Sequence, residues 1–86
     1  MIANMLVRVT AVETTGRSTV RVWFDDGSVR DVELSEELWG EVFEPLRDPD
    51  FFRQVFVNTE TGTIEWPNGA DFAPTFLRER GVAVGT

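Results

Sequence analysis

The chain holds few side chains able to do covalent chemistry. It has no cysteine, histidine, lysine or tyrosine, and all eight basic residues are arginine. That excludes a thiol nucleophile, a disulfide framework and zinc-finger chemistry. It excludes an imidazole base with the triads built on one, and a Schiff base or a phosphate-loop lysine. Carboxylates, arginines and hydroxyls remain. Asp25, Asp26 and Asp31 are a carboxylate group close enough in sequence to suggest a magnesium or calcium site, since hard cations want several oxygen ligands. A simpler reading makes Asp25 and Asp26 turn residues and Asp31 the partner of Arg21. No catalytic residue, metal ligand or cofactor is therefore assigned.

Three other groups are candidates for recognition. Trp23 alternates out of phase with Val20, Val22 and Phe24, so it faces away from them beside Val29, with Leu6 nearby. Trp39 lies within an acidic stretch that contains Glu36, Glu37, Glu41 and Glu44. Such a stretch is either a solvated face or a docking surface for a basic partner. In Trp66-Pro67-Asn68-Gly69-Ala70-Asp71, Trp66 would anchor a partner while Asn68, Gly69 and Asp71 form a recognition turn. The structural alternative has Trp66 filling the core, Pro67-Asn68-Gly69 turning the chain and Asp71 capping the last helix.

The elements that position these residues follow from local patterning. Eighty-six residues form one small domain, spanning 1–86 with an ordered core of about 6–80. Leu6 to Glu13 alternates, with Val7, Val9 and Ala11 on one face, and Thr19 to Phe24 alternates again. Between Phe24 and the next strand lies Asp25-Asp26-Gly27, for which two turns compete. A two-residue Asp26-Gly27 turn would pair Val22 with Asp31 and Val20 with Glu33, placing carboxylates on the apolar face. A three-residue loop with Gly27 at a left-handed bulge position pairs Phe24 with Ser28, Val20 with Val32 and Arg21 with Asp31. A slip of one residue turns a whole strand over, so the bulged hairpin is expected and Gly27 should have positive φ.

Farther on, Ser35 reads as the N-cap of a short turn through Leu38 and Trp39 that Gly40 stops. Val42 to Leu46 reads as extended or irregular. Asp48-Pro49 is an N-cap followed by proline at the first helical position, opening a short helix to about Gln54. Val55–Asn58 and Thr63–Trp66 form a hairpin that sets Val57 opposite Ile64 and Val55 opposite Trp66. Ala73-Pro74 starts a final helix that Gly81 ends, and the tail from Val82 frays. The expected fold is α+β: an antiparallel β-meander of three strands, a short helix, a β-hairpin and a short C-terminal helix, with the five strands in one open sheet.

Phe24-Asp25-Asp26-Gly27, Pro45-Leu46-Arg47-Asp48, Phe51-Phe52 and above all Ile64-Glu65-Trp66-Pro67-Asn68-Gly69-Ala70-Asp71 resemble the bacterial family called domain of unknown function 2442. The resemblance covers about residues 6–80, and the Trp66 to Asp71 segment is its specific part. It implies a small α+β domain, fused in some members to a C-terminal helix-turn-helix. It also implies, for stand-alone members, a neighbouring gene of a second small family (domain of unknown function 4160), in a pairing suggested to be a toxin–antitoxin system. No catalytic residue is implied.

Fifteen acidic residues give a net charge of -7, which repels phosphate backbones and suits a basic protein partner. Direct nucleic-acid binding is not expected. No apolar run approaches the ~20 residues of a membrane span. Met1 to Met5 lacks the basic start of a signal peptide, so a cytoplasmic protein is expected. The expected function is a non-catalytic protein-binding module, the acidic antitoxin-like partner of a small basic protein. Glu36, Glu37, Trp39 and Glu41 form its contact set, with Trp23 as a further contact. A carboxylate-based metal-dependent enzyme and an accessory domain of a DNA-binding regulator are the alternatives. Homodimerisation through an open sheet edge is compatible with each.

Overall fold

The computed structural model describes residues 7–84. Strands β1 (Val9–Thr14), β2 (Thr19–Phe24) and β3 (Val29–Glu33) lead through 3-10 turns at Ser35–Glu37 and Glu44–Arg47 to helix α1 (Pro49–Phe52). Then come β4 (Phe56–Asn58), β5 (Thr63–Glu65), β6 (Asp71–Phe72), helix α2 (Pro74–Arg80) and β7 (Val82–Ala83). The fold is α+β, with every strand pair antiparallel. Its strands divide into a four-stranded sheet of order β1-β2-β3-β7 and a three-stranded sheet of order β4-β5-β6. That corrects the single five-stranded sheet: two further short strands form, β6 turning back onto β5 to complete the second sheet and β7 adding to β3, far away in sequence, in the first. No helix among the described residues is long and apolar enough to cross a membrane.

The β2–β3 hairpin has the register that core burial requires. Val20 faces Val32 and Arg21 faces Asp31, the Phe24 N–H donates to the Ser28 carbonyl at 2.9 Å, and Gly27 sits at φ 90. Val20, Val22 and Val32 are completely buried, whereas the rival register would have set Glu33 and Asp31 opposite Val20 and Val22 on that face.

Strand β1 departs from simple alternation. Val9 pairs with Phe24 but Ala11 pairs with Trp23, so a bulge lies between them. The extra residue turns Ala11 out to solvent and Val12 in toward the core, correcting the expected Val7, Val9, Ala11 face. Burying valine instead of alanine removes more apolar area from water, and that favours the bulge. Leu6 lies outside the described residues.

Several local expectations change in the second half. Ser35 caps nothing; the cap position before the first 3-10 turn is Leu34, and the Ser35 N–H donates to the Glu33 carboxylate at 3.0 Å. Val42 to Leu46 is not extended. The Gly40 carbonyl accepts from the N–H groups of Phe43 and Glu44, and the second 3-10 turn buries Leu46 completely. Asp48 does cap α1, its carboxylate accepting the Asp50 N–H at 3.0 Å, although the helix ends at Phe52. Val57 pairs with Ile64 as expected, but Trp66 pairs its backbone with Ala70, turning the chain back into β6. Val55 is therefore not its strand partner. Asp71 stands opposite Glu65 in that added strand, so it does not cap α2, whose cap position is Ala73. The tail does not fray at once: Val82 and Ala83 pair with Asp31 and Arg30.

The core lies between the two sheets and beneath α1 and α2. Phe52, Trp66 and Phe72 are its aromatic centre, with ring centroids 5.5 and 5.9 Å apart, and Phe76 and Phe43 extend it. Each fully buried side chain of this size contributes about 1.5–3 kcal/mol by leaving water.

Candidate functional site

The acidic stretch and Trp39 lie on a segment that the core holds from both ends. Leu38 is buried and its carbonyl accepts the Arg47 Nε–H at 2.5 Å. Gly40 turns the chain at φ 91, a left-handed conformation that other residues adopt only at a cost. The Val42 carbonyl accepts the Asn68 side-chain N–H at 2.9 Å. Arg80, at the end of α2, reaches the Glu37 carboxylate at 2.7 Å and that of Glu36 at 3.6 Å. Between these ties Trp39 stands 68% exposed and Val42 48% exposed. The two, with Phe43 and Phe72, line a shallow groove whose other walls are Glu37, Gly40 and Glu41. Among the described residues no arginine pairs with Glu41 or Glu44, so their charges stay open to solvent or to a partner.

This separates the expected contact set. Trp39 and Glu41 are presented outward, and Glu36 is exposed at the margin of the Arg80 cluster. Glu37 is part of the scaffold, since Arg80 holds it. Arg78 has a matching task at the other end of the sheet: it pairs with Asp26 at 2.5 Å and lies over the Phe24 ring. A favourable interaction with the helix dipole would account for both arginines in sequence terms, but each ties α2 to a distant segment. The contributions of Arg47, Val42 and Asn68 to this site are also long-range, and no local pattern announces them.

The other candidates are placed differently. Trp23 lies between Ala11 and Val29 on the outer face of the four-stranded sheet. α2 packs its Leu77 into the core on the opposite face, leaving Trp23 half-buried. Next to it Arg21 and Asp31 form a two-bond ion pair at 2.8 and 3.1 Å, and the Arg21 guanidinium holds the Asp31 carboxyl below its usual range.

Trp66 is completely buried, so it cannot serve as a partner anchor; its indole N–H bonds the Phe52 carbonyl. Asn68 accepts the Ala70 N–H at 3.1 Å while it holds Val42, and Gly69 turns at φ 90. The segment is a structural turn whose asparagine supports the Trp39 loop. Asp71 is exposed, away from any cap.

Asp25, Asp26 and Asp31 do not converge. Asp26 is occupied by Ser28 and Arg78, whose hydrogen bonds hold its carboxyl far below the usual range, and Asp31 by Arg21. Asp25 accepts the Arg8 N–H at 3.3 Å. Among the described residues no group of three or more acidic side chains is arranged to hold a metal ion.

A family model described as "Protein of unknown function (DUF2442)" matches residues 9–83. No curated protein and no solved structure matches the chain.

Proposed function

The chain belongs to the DUF2442 family, and we propose that it acts as a non-catalytic protein-binding module that covers a basic surface on its partner. In this reading it is the acidic, antitoxin-like member of a two-protein pair. One observation carries it: Glu41 and Glu44, without a basic partner among the described residues, follow an exposed tryptophan on a segment fixed to the core. The net charge of -7 extends that attraction beyond the contact itself. Surface charge of one sign speeds encounter with an oppositely charged protein and orients it.

The test is native mass spectrometry of the tagged chain recovered from its own host's lysate, beside a variant carrying Glu41→Gln and Glu44→Gln. The expected result is a small basic protein bound in fixed stoichiometry, released as salt rises and weakened in the variant. Those two glutamates are chosen because replacing them leaves the Arg80 ties intact. Recovery of the chain alone at low salt would overturn the proposal, as would a companion whose binding ignores both salt and the substitutions.

A further inference from the structure

We infer that the groove beside Trp39 is the anchor of this interface and that it takes a basic amphipathic segment: an apolar side chain against Trp39 and Val42, flanked by arginine or lysine that meets Glu41 and Glu44. The inference rests on the protein-binding reading above and goes further by naming what is bound and where.

The first argument is preorganisation. A protruding tryptophan on a loose loop loses much of its binding energy to the ordering of that loop. Here the backbone on both sides of Trp39 is already held, by burial of Leu38, by Arg47 on the Leu38 carbonyl, by the Gly40 turn and by Asn68 on Val42. The loop is fixed while the indole is left outside, with no aromatic, cation–π or hydrogen-bond partner among the described residues.

The second argument is the floor of the groove. Phe72 is 9% exposed and packs against Phe43 with the rings tilted and their centroids 5.0 Å apart, so an apolar group placed there would meet the edge of the core. Tryptophan at the centre of such a patch, with a charged rim, has the composition of an interface hot spot.

The third argument is charge, which chooses the occupant. A second copy would bring the same glutamates and another net charge of -7 against this rim. A nucleic acid would bring phosphates. A basic segment neutralises Glu41 and Glu44 as its apolar side chain leaves water.

The experiment titrates the 15N-labelled full chain at low salt with two synthetic peptides of equal positive charge. One repeats arginine with leucine at helical spacing, and the other has serine in place of leucine. The arginine–leucine peptide should bind roughly tenfold more tightly and move the Trp39 indole N–H and the amides of residues 39–43. Trp39→Ala should bring the two affinities together, with the Trp66 indole signal unmoved as proof that the variant folds. Equal affinities in the wild type, or shifts centred on Trp23 and Val29, would overturn the anchor while leaving the acidic binding role standing. Binding of neither peptide would overturn the anchor and the protein-binding reading together.

Discussion

The indole Nε1–H of Trp66 donates to the carbonyl oxygen of Phe52 at 2.8 Å, joining the last turn of the three-stranded sheet to the end of α1 across 14 residues of chain. The ring also packs against Phe52 and Phe72. A fully buried polar N–H needs such a partner, and only tryptophan supplies this volume and this donor together. The distinctive Trp66-Pro67-Asn68-Gly69 segment is therefore a device for closing the core, whereas Trp39 is left exposed.

Trp66→Phe should lower stability by about 2–4 kcal/mol, combining a cavity with loss of the donor to Phe52. Trp39→Phe, at an exposed position, should change it by less than about 0.5 kcal/mol. Urea denaturation of both variants measures the contrast, and equal losses would show that Trp39 is part of the core.

Collisional quenching separates the same two residues by light. Acrylamide should quench a large share of the tryptophan emission, and Trp39→Phe should remove most of the quenchable share because Trp66 is sealed from solvent and Trp23 is half-covered. An unchanged quenching curve in that variant would place Trp39 under cover.

Gly81 and Gly27 should resist substitution for different reasons. A methyl group on Gly81 would come within 2.6 Å of the Arg30 Cβ and 2.8 Å of the Leu77 carbonyl oxygen, although its φ of -76 is ordinary. Gly81→Ala should cost about 1–3 kcal/mol through overpacking of α2 against β3. Gly27 has open space around it but a φ of 90, so Gly27→Ala should cost about 1–2 kcal/mol through the backbone alone. Thermal denaturation measures both, and a neutral Gly81→Ala would show that α2 can move off the sheet.

Acid should destabilise the fold through specific carboxylates. The Ser18 and Thr19 hydroxyls, at 2.6 Å each, and the Ser35 N–H hold the Glu33 carboxyl down to about 2. Asp26 and Asp31 are lowered as well, by Ser28 and Arg78 and by Arg21. A carboxyl with a lowered folded pKa contributes its stability fully above the unfolded value of about 4, and loses it as pH falls through the folded value. Tm should therefore fall between about pH 4.5 and 2. Glu33→Gln should lower Tm at pH 7 and make the acid decline shallower. A variant curve parallel to the wild type throughout would show that these bonds do not form in solution.

Features specified by neighbouring residues are legible in the sequence alone. Asp25-Asp26-Gly27 with the flanking valines determined the hairpin register, because the rival register buries Asp31 and Glu33. Asp48-Pro49 marked the start of α1 and Gly81 the end of α2, since caps act within one turn of backbone. Trp39 and its glutamates were legible as candidates for recognition. Whether each tryptophan faces water was not, because alternation names a face without naming what covers it: α2 chose the inner face of the sheet and left Trp23 half-covered. The bulge that turns Ala11 out, the pairing of β7 with β3, and the reach of Arg78 and Arg80 to Asp26 and Glu37 were equally hidden. Each depends on contacts between segments far apart in sequence, whose energies are settled only when the core has closed. Local pattern alone thus determined the class of fold, the hairpin register and the acidic character. Tertiary packing decided which tryptophan seals the core and which stands outside it, because burial is a property of the assembled surfaces.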